Sequence, residues 1–142
     1  MITLDTSGLL ALFDRKDSHH AACVQVYTAD SGPAIVPAAI LAEIGWFLED
    51  RRRFPPQLLH TFLGDLADGA YAVEWIDEDS VRIAALVERY DDLPLGVADA
   101  AVIACAERHG GNVLTTDRHF SQVVGRDPTI HITVLPTVAG EA

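Results

Sequence analysis

Four carboxylate residues each interrupt or end a segment that is otherwise nearly all apolar: Asp5, Glu43, Asp99 and Asp117. A buried, ionised carboxylate costs several kcal/mol unless it is paired or holds a cation. The single lysine of the chain, Lys16, and its arginines all lie outside these four segments. A divalent metal ion shared by the four carboxylates is therefore the simplest compensation for their charge.

The remaining metal-ligating residue types favour Mg²⁺ or Mn²⁺ over zinc. The six histidines show no HxxxH spacing, and Cys23 and Cys105 show no CxxC spacing, so both thiols are expected to be buried and free. Carboxylate oxygens are the ligands that Mg²⁺ and Mn²⁺ prefer, and such an ion can activate water for phosphodiester hydrolysis. The absence of GxSxG, P-loop and GxGxxG motifs argues against acyl transfer, P-loop hydrolysis and dinucleotide binding.

The charge balance limits how the protein could approach a nucleic acid. The formal net charge is -11 and the sequence pI is about 4.7. A protein that simply coats nucleic acid carries a basic stripe, whereas here the basic clusters are Arg15-Lys16 and residues 51–53. The second cluster also fits a solvated helix end. If the substrate is a nucleic acid, a bound metal ion must make the acidic site approachable.

Strands alternate with helices along the chain. The patterns predict strands at residues 2–4, 33–36, 71–75, 113–115 and 131–135. They predict a helix capped by Thr6 or Ser7 that ends at residue 13, and further helices at residues 19–28, 39–50, after Pro55-Pro56, after a cap at Asp77 or Asp79, and at residues 96–109 before Gly110-Gly111. The helix after residue 79 should be broken by residues 91–94 and should bury the apolar face formed by Val81, Ala84, Ala85 and Val87.

This alternation predicts an α/β fold with a parallel sheet covered on both faces, in one domain over residues 1–142. The first apolar run, residues 9–13, is too short to cross a membrane and follows no basic residue. We therefore expect a cytoplasmic protein with no signal peptide.

The predicted elements would bring the acidic side chains together. Asp5 and Asp117 follow strands, and the carboxyl ends of parallel strands form the binding crevice of open α/β sheets. Asp99 lies in the first turns of its helix, where the helix dipole favours an anion, and Glu43 has a side chain long enough to reach back over the strand ends.

Each carboxylate also has a structural alternative. Asp5 could cap the first helix, Asp99 could simply favour its helix N-terminus, and Asp117 could begin an Asx turn. Glu43 is the hardest to explain in this way, because it is the only charge in the helical stretch of residues 39–47, which has no polar face.

Four segments resemble, in order and spacing, the motifs of PIN domains: LDTSGLL at residues 4–10, AEI at 42–44, LPLGVADA at 93–100 and LTTDRHF at 114–120. The resemblance covers essentially the whole chain, and a single PIN domain of this length is most similar to the VapC toxins of bacterial toxin-antitoxin pairs. It implies a three-layer α/β/α sandwich with a short parallel central sheet. It further implies an endoribonuclease dependent on Mg²⁺ or Mn²⁺ that forms a homodimer and is neutralised by a small antitoxin.

The resemblance also assigns site residues. Asp5, Glu43, Asp99 and Asp117 fall on the acidic catalytic and metal-binding positions of the family, and Thr115 falls on its hydroxyl position near the metal. Thr115 is equally suitable as a buried strand residue. Arg118 and His119 would flank the phosphate path in this family, although both also fit an exposed turn.

The implied partners are an RNA, an antitoxin and a second copy of the chain. An unpaired loop of tRNA or ribosomal RNA is the physically sensible target, because an A-form helix hides its base edges. A VapB-type antitoxin with a basic arm would suit the acidic pocket. Self-association is expected near Trp46, Phe47 and the helix after Pro55-Pro56, unless both aromatic residues belong to the core.

Other classes fit the sequence less well. A receiver-like domain needs an adjacent acidic pair after the first strand and a late strand-end lysine, and a haloacid-dehalogenase-like phosphatase needs a second Asp where Ser7 stands. Within the PIN fold, a nuclease of RNA processing outside a toxin-antitoxin pair and a non-catalytic interaction module both stay open.

Overall fold

The computed structural model describes residues 1–90 and 95–137, which form a parallel sheet flanked by helices. The sheet order is β3-β2-β1-β4-β5, and all neighbouring strands are parallel. The strands are β1 (Thr3–Leu4), β2 (Ala34–Pro37), β3 (Tyr71–Glu74), β4 (Asn112–Leu114) and β5 (Thr133–Leu135). The helices are α1 (Thr6–Phe13), α2 (His20–Ala29), α3 (Leu41–Leu48), α4 (Pro56–Ala67), α5 (Ser80–Arg89), α6 (Val97–Arg108) and α7 (Arg118–Arg126), with 3₁₀ turns at Ala38–Ile40 and Asp77–Asp79.

The strand order reverses direction between β1 and β4. The chain starts at the central strand β1, adds β2 and β3 on one side, and then crosses to β4 and β5 on the other. Right-handed crossovers place α1 to α4 on one face of the sheet and α5 to α7 on the other. The contacts agree, because α6 packs across β1, β2 and β4 with α5 against it, while α4 packs on β3. The reversal opens a crevice at the carboxyl ends of β1 and β4.

The core includes the strands β1, β2 and β4, buried faces of several helices, and one helix segment that is buried on all sides. Seven consecutive residues of α6, from Ala100 to Ala106, are buried, so this helix has almost no solvent face over two turns. It packs across the strands β1, β2 and β4. The rigidity of this packing fixes the start of α6, where Asp99 lies.

Most predicted elements are confirmed to within two residues, but the face of α5 is wrong. Val81, Ala84 and Ala85 are exposed, whereas Ile83 and Leu86 are buried. The two larger side chains remove more apolar area from water than alanines do, so they decide which face turns inward.

The capping predictions are also wrong at two places. Asp5 occupies the N-cap position of α1, in front of Thr6 and Ser7, but makes no side-chain capping bond. Asp79 does not cap α5 through its side chain either; it is buried and accepts hydrogen bonds of 2.7 and 3.0 Å from the Arg108 guanidinium. An ion pair with a distant arginine has therefore replaced a local capping bond.

One helix was not predicted, and one motif is only partly described. Where a turn was expected after residue 117, the chain forms α7, whose pattern is weak because only Phe120 and Val123 are buried. Residues 91–94, the expected break after α5 and part of the third PIN-like motif, lie outside the described residues. The Gly110-Gly111 ending of α6 is confirmed, with positive φ at both glycines.

Both cysteine side chains are in the state that the sequence predicts. Cys23 and Cys105 are buried free thiols as predicted, and burial raises the pKa of each thiol to about 11. Among the helices of residues 1–90 and 95–137, none has the length and apolar character required to cross a membrane.

Candidate active site

The Asp5 carboxylate is anchored between the ends of the two central strands. Asp5 directly follows β1 and is only 5% exposed. Its backbone N–H donates to the Leu114 carbonyl oxygen at 3.1 Å, which extends the contact of β1 with β4. Thr115 Oγ1 donates to Asp5 Oδ2 at 2.7 Å, and Ser7 Oγ donates to the same oxygen at 3.3 Å. Two hydroxyl groups therefore hold this carboxylate in place.

The arrangement depends on the glycine that follows Ser7. A Cβ atom at Gly8 would lie 2.2 Å from the Leu114 carbonyl oxygen, so only glycine lets α1 start this close to β4. The approach brings Ser7 Oγ to 3.0 Å from Thr115 Oγ1 and lets it accept a 3.0 Å bond from the Thr116 N–H. Ser7 was not predicted as a site residue, although a hydroxyl and a glycine soon after Asp5 were a usable signal.

Asp117 combines two roles at the end of β4. Its Oδ1 accepts hydrogen bonds from the backbone N–H groups of His119 and Phe120, at 2.9 and 3.3 Å, and so caps α7. Its own N–H donates to Thr115 Oγ1 at 3.2 Å. The structural alternative for Asp117 is therefore present, and it also fixes the carboxylate at the edge of the crevice.

Asp99 and Glu43 approach from two other helices. Asp99 is the third residue of α6, is half-buried, and accepts a hydrogen bond from the Gly96 backbone N–H. Glu43 lies in the first turn of α3 and is exposed, together with Ala42 and Trp46. The expectation that Glu43 lies in a helix without a polar face is wrong, because α3 turns this side toward solvent.

All four carboxylates line a single pocket of about 420 Å³ at the strand ends. Thr115 is not among the lining residues of this pocket and acts on it through Asp5. The pocket is lined by Asp5, Thr6, Ser7, Leu10, Asp17, Glu43, Phe47, Arg53, Asp99, Thr116 and Asp117.

The electrostatics of the pocket favour a cation. Burial raises the pKa of Asp5 to about 6, with smaller contributions from the charges of Asp99 and Asp117, while the hydrogen bond from Thr115 opposes the shift. Burial also raises the pKa of Asp99, followed by the charges of Asp117 and Glu43, against the hydrogen bond from Gly96 and the charge of His119. Because these carboxylates repel one another, a bound positive charge would lower their energy.

The donor set fits a hard divalent cation in its chemistry. The four acidic side chains offer carboxylate oxygens, which are the ligands that Mg²⁺ and Mn²⁺ prefer. As the side chains stand in residues 1–90 and 95–137, no group of three or more acidic, histidine or cysteine residues forms a closed metal cluster.

Arg53 corrects the expectation that protein cations lie outside the site. It comes from the connection between α3 and α4, and it lines the pocket because Asp14 and Asp17, between α1 and α2, bind its guanidinium. Arg51, Arg52 and Arg53 are all exposed, as the explanation of residues 51–53 as a solvated helix end predicts, and Arg53 in addition lines the pocket.

The fold and the site together define a parallel α/β protein with acidic residues from four elements around a strand-end pocket. Residues 2–125 match the family model of the PIN domain, and the chain belongs to this family. It is 33% identical over 121 residues to ribonuclease VapC26 of Mycobacterium tuberculosis, a match that covers 83% of this chain and 88% of the relative.

A solved structure supports the fold independently. The crystal structure of Mycobacterium tuberculosis VapC20, a toxin that cleaves the sarcin-ricin loop, matches with a TM-score of 0.72 at 20% identity. The match covers 87% of this chain and 95% of that one. The predicted family and the predicted α/β/α sandwich are thus confirmed.

Proposed function

We propose that this protein is a divalent-metal-dependent endoribonuclease that acts in the cytoplasm as the toxin of a toxin-antitoxin pair. One observation carries the proposal: in a chain of the PIN family, carboxylates from four separate elements line one pocket at the carboxyl ends of β1 and β4. A pocket of this kind concentrates negative charge where a cation can connect the protein to an RNA phosphate.

Asp5, Glu43, Asp99 and Asp117 would hold the ion, Mg²⁺ or Mn²⁺. When bound, such an ion polarises a phosphoryl oxygen and lowers the pKa of water enough for attack at neutral pH. Asp5 is the most deeply buried of the four, and Thr115 and Ser7 both donate to it. Thr115 therefore acts as the residue that orients Asp5.

An unpaired loop of tRNA or ribosomal RNA is the substrate class that suits the pocket. Unpaired nucleotides can be splayed into a narrow site, whereas an A-form helix cannot present its backbone and bases in this way. With a net charge of -11, the protein depends on the ion and on local cations to receive a polyanion.

The partners follow from the same charge distribution. A VapB-type antitoxin would inhibit by placing a basic arm in the carboxylate pocket, with its anchoring helix in a neighbouring apolar groove. A second copy of the chain would pack on the exposed surface of α3 and α4, where Trp46 is 70% and Leu63 is 53% exposed. Phe47 is half-buried and packs both on the core and against the Trp46 ring, so it contributes less exposed area to this surface than Trp46 does.

The decisive experiment is a cleavage assay on purified tRNA and ribosomal RNA fragments. Activity should require Mg²⁺ or Mn²⁺, be abolished by EDTA, and fall by at least about 100-fold in Asp5→Asn and in Asp99→Asn. Asp68→Asn, which removes an exposed carboxylate at the end of α4, is the matched control and should keep full activity.

Cleavage that persists in EDTA, or that survives both substitutions, would refute the metal mechanism. RNA binding without any cleavage would instead support a PIN-fold interaction module. Cleavage in a cell where no adjacent antitoxin gene exists would support a role in RNA processing.

A further inference from the structure

One basic side chain faces the acidic pocket. Among the described residues that line this pocket, Arg53 is the basic one, and five are acidic. Arg53 also lines a neighbouring groove of about 510 Å³ that contains Trp46 and Phe47. Because Phe47 and Arg53 belong to both, this arginine lies at the junction of the pocket and the groove.

The guanidinium of Arg53 is held in a defined orientation. Its Nε donates to Asp14 Oδ2 at 2.8 Å, and its Nη2 donates to Asp17 Oδ2 at 3.5 Å. Its Cζ atom lies 4.9 Å from the centre of the buried Phe54 ring. The side chain still has 35% exposure. A guanidinium has five N–H donors, so these bonds leave capacity for an oxyanion.

A purely structural role accounts poorly for this placement. The bonds to Asp14 and Asp17 tie the connection after α3 to the connection after α1, but partly exposed ion pairs contribute little to stability. Arg51 and Arg52, in the same connection, do not line the acidic pocket. The fold thus turns one of three consecutive arginines toward the carboxylates, where a phosphate would arrive.

We propose that Arg53 binds a phosphate of the RNA next to the one that is cleaved, and that Asp14 and Asp17 hold its guanidinium in place for this contact. The inference rests on the proposed ribonuclease function and extends it to a binding residue. Planar, two-pronged recognition of phosphate is the interaction for which arginine is better suited than lysine. In a chain of charge -11, such a cation offsets the repulsion that a phosphodiester meets at the pocket.

The test measures steady-state cleavage of a tRNA or ribosomal RNA fragment at several salt concentrations. In Arg53→Gln, KM should rise about tenfold with kcat nearly unchanged, and the slope of log(kcat/KM) against log[salt] should become shallower by about one. Arg52→Gln is the matched control, because it removes the same charge from the same connection outside the pocket. It should change KM less than about twofold.

A second variant separates phosphate binding from structural support. Asp14→Asn keeps the arginine and an acceptor for its Nε but weakens the ion pair that orients it, so KM should rise far less than in Arg53→Gln. Arg53→Lys keeps the charge without the planar fork and should give an intermediate KM with the wild-type salt slope.

Equal increases of KM in Asp14→Asn and Arg53→Gln, with matching losses of Tm, would show a structural role and overturn the proposal. If Arg53→Gln left KM and the salt slope unchanged, the proposal for Arg53 would also be overturned. The proposed ribonuclease function would still stand in that case, provided that the wild-type protein cleaves the RNA. A wild-type protein that cleaves no RNA would overturn both.

Discussion

At the scale of single residues, Asp5 gives the sharpest prediction. Its pKa in the fold is about 6, above the ordinary 3.8, so the folded state holds the proton more tightly than the unfolded chain does. Without metal, stability should therefore rise as the pH falls from about 7 to about 4. At pH 7.5 Asp5→Asn should stabilise the metal-free protein by about 1–3 kcal/mol, because it removes a buried charge and keeps an acceptor for Thr115. Urea unfolding at about pH 4 and at pH 7.5, with and without Mg²⁺, measures these changes in the free energy of unfolding.

Asp127 is the control, because its pKa is shifted in the direction opposite to that of Asp5. Burial would raise its pKa, but hydrogen bonds from Thr129, Tyr90 and Arg89 outweigh burial and lower it. Its ionised form therefore stabilises the fold above about pH 4, and Asp127→Asn should cost about 1–3 kcal/mol at pH 7.5. If both variants shifted stability in the same direction, the explanation for Asp5 by burial and charge crowding would be wrong.

The sequence predicted which residues belong to the site better than it predicted the contacts between them. The four carboxylates were visible because each stands in an apolar segment, and all four line the pocket. Arg53 was not predictable in this way, because its role depends on Asp14, 39 positions earlier in the chain. Such a pairing leaves no periodic signal in the sequence.

At the scale of elements, the junction of α1 with β4 is the feature most sensitive to change. Gly8→Ala would place a Cβ atom 2.2 Å from a backbone oxygen that cannot move without breaking the sheet. We expect a loss of about 1–3 kcal/mol in the free energy of unfolding and a larger relative loss of RNA cleavage, because Ser7 and Asp5 shift with the helix. Gly64→Ala in the middle of α4, where nothing lies within 4 Å, should instead stabilise by about 0.5–1 kcal/mol. Equal effects of the two substitutions would contradict this.

Element positions followed from the sequence, whereas helix faces did not. Apolar runs and one alternating segment between turn residues placed all five strands of the described sheet, and burial on both sides explains the continuous apolar character of β1 and β2. The face of α5 was predicted from alanines, although Ile83 and Leu86 gain more from burial. The start of α7 depends on a cap by Asp117, a residue already assigned to the site.

At the scale of the whole molecule, we predict self-association through α3 and α4. Trp46 of α3 has 70% exposure and Leu63 of α4, a helix in contact with α3, has 53%, and exposed apolar surfaces of this kind are commonly covered by a partner. Light scattering at micromolar concentration should give the mass of a dimer, and Trp46→Ala should shift it toward the monomer. Trp75→Ala is the control, because Trp75 is equally exposed but lies after β3. A monomer mass for the wild-type protein would exclude this interface.

The link between Asp5 and Thr115 also bears on synthesis. The two residues joined by this hydrogen bond are 110 positions apart, and β1 is completed only when β4 arrives beside it. During synthesis, β1 therefore leaves the ribosome early, and the edge that pairs with β4 stays unpaired until β4 emerges. The carboxylate pocket cannot assemble until residue 117 has emerged. The nascent chain should consequently be harmless to the RNA of the ribosome that makes it for most of the time that translation takes.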